Sequence, residues 1–127
     1  MAQVSFYLSI VLAGGGGALL RYLLGRMAIN LGWAALPFGT LIANVLGCFF
    51  MGFLSWLLVH KWQLSAQAQA IVLTGLLGGF TTFSAFSLET VNLLQEGSSL
   101  KAVLYISLTV VLCIVMCFAG ILLAKQL

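Results

Sequence analysis

The sequence predicts an all-α membrane protein with four transmembrane helices. Three observations carry that prediction. Of 127 residues, 63% are hydrophobic and only 6% are charged. Four apolar runs are long enough to cross a bilayer, and the connections between them are short. An ordinary soluble domain carries about 25% charged residues. A surface this apolar suits a protein whose solvent is lipid, where the outward face must be apolar as well.

A hydrocarbon core needs about 20 apolar residues per helix. The first span is read from Val4 to Leu24. It lacks a positive leading region and ends at Arg21 and Arg26 instead of a small-residue cleavage site, so it reads as a retained helix. The second span is read from Phe38 to Val59, with Pro37 suited to its first turn. The third is read from Ala68 to Leu94 and the fourth from Val103 to Ala124. The connections hold Asn30, Gly32 and Trp33; His60, Lys61, Trp62 and Gln63; and Glu96, Gly97, Ser98 and Ser99. Trp33 and Trp62 fit an interfacial aromatic belt. The whole chain, 1–127, reads as a single domain.

The net charge of +3 comes from scattered groups: Arg21, Arg26, Lys61, Lys101 and Lys125 outweigh Glu89 and Glu96. Nucleic-acid binding needs a basic patch, and none is visible. No nucleotide loop, zinc motif or nucleophile–base pairing is visible either, and His60 has no partner for triad chemistry. The chain therefore reads as neither an enzyme nor a nucleotide-driven pump. Four spans put both termini on one face with Lys61 and Lys125. The opposite face carries Arg26 and Lys101, with Arg21 about a turn inside it. Orientation follows a bias in such charges, and here the bias is close to nil. Insertion in both directions, and an antiparallel homodimer built from the two orientations, follow as expectations. Inverted repeats about an axis in the membrane plane are a known transport architecture.

Polar residues are sparse enough to be read one by one. In the first span, Ala13, Gly17, Arg21 and Gly25 share a face. That stripe fits a tight crossing at a dimer interface or close packing within one chain. Arg21 either draws anions to a vestibule or snorkels to the headgroups. In the second span, Thr40, Asn44 and Cys48 follow at four-residue spacing. Asn44 suits a helix–helix hydrogen bond or a neutral donor to an ion. Tyr105 and Thr109 continue the polar line on the fourth span, with Cys113 after them. These hydroxyls either form a track or bond to their own helix. Cys48, Cys113 and Cys117 lack His or carboxylate companions at ligand spacing and read as small packing residues.

The third span is the most informative. Gly75, Gly78 and Gly79 precede Thr81, Thr82 and Ser84. Glycine suits a helix end and threonine suits a helix start. The span therefore reads as broken, with free carbonyls near Gly75 to Gly78 forming a negative end able to hold a cation. The alternative is an unbroken helix with a glycine notch. Phe80 and Phe83, three residues apart, are either core or electropositive ring edges facing an anion. Glu89 lies late in this span. A small proton-coupled exporter of dual topology would need a deep carboxylate, and Glu89 is its candidate.

Together these residues resemble the Fluc (CrcB) family of fluoride ion channels. The likeness covers the whole chain and is sharpest in Gly39-Thr40-Leu41, Asn44, Gly47, Phe49 and Gly52, and in Gly75, Gly78-Gly79 and Thr81-Thr82-Phe83-Ser84, with Gly17 and Arg21 in the first span. The resemblance implies passive export of fluoride across the bacterial inner membrane by an antiparallel, dual-topology homodimer with two pores. It implies Asn44, Phe80, Phe83, Thr40, Ser84, Tyr105 and Thr109 along the pore, and Arg21 at the vestibule. It also implies a structural sodium ion at the dimer centre on backbone carbonyls, assigned to Gly75 and Gly78 with Gly79 and Thr81 as alternatives. Cys113 stands where a further hydroxyl of the track is expected.

Overall fold

The computed structural model describes residues 2–33 and 35–127. Among these residues the secondary structure is helical throughout. The elements are α1 (Ala2–Asn30), α2 (Phe38–Trp56), α3 (Ala66–Ala70), α4 (Gly78–Phe80), α5 (Phe83–Gln95) and α6 (Ser99–Ala124). π-helical turns extend α2 over Leu57–Lys61 and join α3 to α4 over Ile71–Leu77. Four stretches are long and apolar enough to cross a membrane: Gln3–Asn30, Phe38–Lys61, Ala66–Gln95 and Ser99–Ala124. The chain is a multi-pass membrane protein. Its outward-facing Leu, Val, Ile and Phe side chains are those a lipid solvent requires.

One boundary is corrected. Arg26, expected to open the first connection, lies on α1, which continues to Asn30. Arg, Met and Ala are good helix formers, and a helix can continue past the hydrocarbon into the headgroups. It stops at Gly32, whose φ of 73° is left-handed. The Gly32 N–H donates to Ile29 and the Trp33 N–H to Ala28, a two-bond glycine cap. Gly97, also at φ 73°, ends α5 in the same way, through bonds to Leu94 and from Ser98 to Leu93.

The glycine stripe of α1 packs within the chain. A Cβ on Gly17 would lie 2.1 Å from the Leu76 carbonyl oxygen, and one on Gly79 would lie 2.3 Å from that of Gly14. Further along, a Cβ on Gly39 would sit 2.6 Å from Gly25 Cα. Backbone therefore meets backbone at three successive levels, where glycine alone fits. Of the two readings of the stripe, packing within one chain accounts for Gly17, while a Cβ on Gly25 would itself meet nothing within 4 Å.

The longest helix–helix contact joins α2 to α6. Glu89 bridges Thr40 to Tyr105. Asn44 and Thr109 line one cavity, as do Cys48 and Cys113. A Cβ on Gly52 would lie 2.0 Å from the Cys117 carbonyl oxygen. The pairs advance four residues at a time on both helices, so α2 and α6 run parallel with one fixed register. A small buried cluster of Leu41, Phe86 and Tyr105 closes one end of this seam, flanked by Phe38 and Val45.

Candidate functional site

Between α4 and α5 the backbone is extended at two residues. Thr81 has φ −84° and ψ 159°. Thr82 has φ −156° and ψ 126°. The local chemistry explains why the helix stops here. The Thr81 hydroxyl and its own N–H both donate to the Leu77 carbonyl, at 3.1 Å and 2.9 Å. The Thr82 hydroxyl accepts the Ala85 N–H at 3.2 Å, an N-cap for α5.

Asn44 secures this geometry from α2. Its Nδ2 donates to the Thr82 carbonyl at 2.9 Å, and its Oδ1 accepts the Thr82 N–H at 2.7 Å. A buried amide thus replaces the helical partners that Thr82 gives up. Each such bond, left unmade in a buried site, would cost about 1–3 kcal/mol. The amide carries two N–H donors, so one remains after the bond to Thr82. The neighbouring Gly47 leaves the space this arrangement needs: a Cβ there would lie 2.2 Å from the Thr81 methyl group.

Because the Thr82 N–H turns to Asn44, the Gly78 carbonyl loses its helical donor. The Ala85 N–H turns to the Thr82 hydroxyl, which leaves the Thr81 carbonyl in the same state. The Gly79 carbonyl faces Arg21, whose Nε lies 3.4 Å away. Gly75 is placed differently from the expectation of a free carbonyl there. It is buried inside the π-helical segment, and its carbonyl accepts the Gly78 N–H. The helix opens three residues or more beyond Gly75 because the threonines, and not the glycines, supply the hydrogen bonds that end one helix and start the next.

A cavity of about 280 Å³ opens beside the extended pair. Asn44, Cys48, Thr82, Phe83, Phe86, Thr109 and Cys113 are in its wall. Thr109 is buried, and its hydroxyl has no hydrogen-bond partner. Phe83 and Phe86 are tilted against each other with centroids 5.4 Å apart, and Phe86 packs in turn on Tyr105. Phe80 is absent from this wall and lies instead near Gly47, where its ring would touch an added Cβ. Phe86 is the aromatic that sequence reasoning missed. The spacing from Phe83 to Phe86 equals that from Phe80 to Phe83, so the pattern was present but its register was not. Ser84 bonds the Thr82 hydroxyl at 3.1 Å and is outside the cavity wall.

The other end of the seam is closed. The Thr40 hydroxyl donates to one Glu89 carboxylate oxygen at 2.7 Å, and the Tyr105 hydroxyl donates to the other at 2.6 Å. Glu89 thereby ties the second, third and fourth spans together. Sequence reading placed Thr40 and Tyr105 on one track but did not find Glu89 between them. A hollow lined by Arg21, Arg26, Thr40 and Glu89 lies on the α1 side. Arg21 thus shares a hollow with the carboxylate, and its Nε–H donates to a backbone carbonyl at the helix break.

Comparison with known proteins agrees with this architecture. A "Fluoride-specific ion channel FluC" of Methylococcus capsulatus is 46% identical over 94% of the chain, which spans 52% of that relative's length. Proteins of the same description from Rhizobium etli and Rhizobium meliloti are 39% and 42% identical, over 94% and 93% of this chain and 96% and 97% of theirs. Residues 8–121, which hold the α2–α6 seam and both extended threonines, match the family described as CrcB-like protein, Camphor Resistance (CrcB). The chain belongs to the CrcB-like family.

Proposed function

We propose that this protein is a fluoride-selective channel that lets cytoplasmic fluoride leave the cell passively across the inner membrane. The observation that carries the reading is the buried, unpartnered Thr109 hydroxyl in a cavity shared with Asn44, Phe83 and Phe86. Fluoride is small and tightly hydrated, so its water must be replaced by good donors. Thr109 and the second Asn44 N–H supply them without a fixed charge, and aromatic ring edges add weak positive potential. A conducting site must admit the ion and also release it. The cavity wall carries no Lys or Arg that would hold an anion too long.

The functional unit is an antiparallel homodimer of two oppositely inserted copies. Extended backbone at membrane depth persists only where protein or a water-filled cavity covers it. In the single chain the break is partly bare: Phe83 is 77% exposed, and Gly78 and Ser84 are exposed as well. A second copy would cover that face. The carbonyls of Gly78 and Thr81, both without helical donors, are oxygen ligands of the kind hard cations prefer. They fit a structural sodium ion shared with the second copy better than Gly75, whose carbonyl already accepts the Gly78 N–H. Such an ion would neutralise the facing carbonyl ends and join the two copies.

Fluoride efflux from liposomes holding the purified protein tests the function. Efflux should proceed with equal sodium on both sides, and chloride should not follow. Efflux whose direction follows an imposed sodium or proton gradient would mean coupled transport and would sink the channel reading. Dual insertion has its own test. Two lysines added to the Glu96–Lys101 loop should fix one orientation and abolish flux, and a copy biased the other way should restore it. Native termini found on one side alone would refute the antiparallel dimer.

A further inference from the structure

The cavity contains a pair of thiols that the anion pathway does not use. Cys48 on α2 and Cys113 on α6 are both in its wall. The α2–α6 register that sets Asn44 beside Thr109 also sets Cys48 beside Cys113, one turn further along both helices. One turn further along, Gly52 lets α2 and α6 approach until an added Cβ would lie 2.0 Å from the Cys117 carbonyl oxygen. Side chains one turn before such a contact have only a narrow gap to span. Among the described residues no three His, Cys, Asp or Glu side chains converge as a metal-binding group. A tetrahedral zinc site, which needs four ligands, is therefore not available here.

We propose that Cys48 and Cys113 form a two-sulfur site for a soft divalent metal ion of the mercury(II) type. Soft thiolates select soft metals, and two sulfurs in line complete the coordination of such an ion. The charge balance favours it over a monovalent ion. Each thiol loses its proton to solvent as its sulfur bonds the metal. Two thiolates then neutralise the double charge, and no oxidation is involved. A neutral sulfur–metal–sulfur unit is the form least penalised in an apolar wall. Two metal–sulfur bonds in line span about 4.6 Å, a gap that two side chains facing each other across so tight a helix crossing can close by rotation. The unit would lie beside Thr109, one turn along α6, so an occupied site should obstruct the cavity. That obstruction rests on the channel reading above; the metal binding does not.

The test adds mercury(II) chloride to the purified full-length protein and follows the near-ultraviolet sulfur-to-metal absorption. Absorption should saturate at about one equivalent per chain, while zinc(II) should give none. It should be lost in Cys48→Ala and in Cys113→Ala and be retained in Cys117→Ala. Elution of each variant on gel filtration identifies any that fails to fold; Cys48→Ala and Cys113→Ala each suffice alone. Absorption that survives Cys48→Ala, or that is lost in Cys117→Ala, overturns the assignment, the second by placing the metal between Cys113 and Cys117. In liposomes, mercury(II) should stop fluoride efflux by the native protein at the same equivalence, and excess dithiothreitol should restore it. Binding with the predicted pattern but unblocked efflux would support the metal site and refute the placement of the anion pathway in this cavity. Efflux with no binding to the pair would refute the metal site alone.

Discussion

The two ends of the α2–α6 seam are built from similar residues and treat their polar groups in opposite ways. At one end, Thr40, Glu89 and Tyr105 satisfy one another completely, with bonds of 2.7 Å and 2.6 Å. At the other, one turn further on, Thr109 is buried and its hydroxyl is bonded to nothing. A buried hydroxyl without a partner loses its hydration with no return. Its retention beside a cavity is what a site for a passing ion requires. The closed end ties three spans together, and the proposed function assigns the open end to the passing ion. Asn44 bonds the Thr82 backbone and also lines the cavity.

The largest effect should come from destroying the packing that both ends share. Gly79→Val would drive side-chain atoms into the Gly14 carbonyl, already 2.3 Å from the Cβ position. Since backbone cannot yield there, folded protein should be lost on gel filtration and no efflux should be measurable. Asn44→Leu should follow. It removes two bonds to Thr82 and leaves a part-buried N–H and carbonyl unpaired, a loss of about 2–6 kcal/mol. Thermal stability should fall and efflux should fall at least tenfold. Efflux at the native rate would show that Asn44 matters to neither end.

Tyr105→Phe tests the closed end by itself. The ring still packs on Phe86, but one Glu89 oxygen loses its donor. A destabilisation of about 1–3 kcal/mol is expected, with a smaller proportional change in efflux. Phe80→Leu and Phe86→Leu sharpen the comparison further. The second removes a cavity-wall ring and should slow efflux more than the first, which lies outside the wall. Equal effects would return the ring-edge role to Phe80 and Phe83.

Much of this was legible in the sequence because membrane helices impose a strong code. Apolar runs of spanning length identified all four spans, and four-residue spacing put Thr40 with Asn44 and Tyr105 with Thr109. The threonine pair after the glycines pointed to a change of backbone between Phe80 and Phe83. What was not legible is long-range. Nothing local tells that Asn44 bonds Thr82, that Glu89 receives hydroxyls from two other spans, or that Phe86 and not Phe80 shares the cavity. Those facts depend on the register between helices, which is set by where glycines let them touch. The bonding of the Gly75 carbonyl depends on that register too. Sequence marks the glycines as helix breakers, but Gly75 serves as a contact surface for Ile10 and Ala13 on α1.

Thr109→Val most directly tests whether the open end carries the ion. Valine keeps the shape and removes the hydroxyl, and that hydroxyl has no partner to lose. Fluoride efflux and thermal unfolding should be measured on the same preparation. The expected result is efflux lower by roughly tenfold, equivalent to about 1.4 kcal/mol on the barrier, with stability unchanged or slightly raised. Native efflux together with a loss of stability would mean that Thr109 holds the fold and that the ion passes elsewhere.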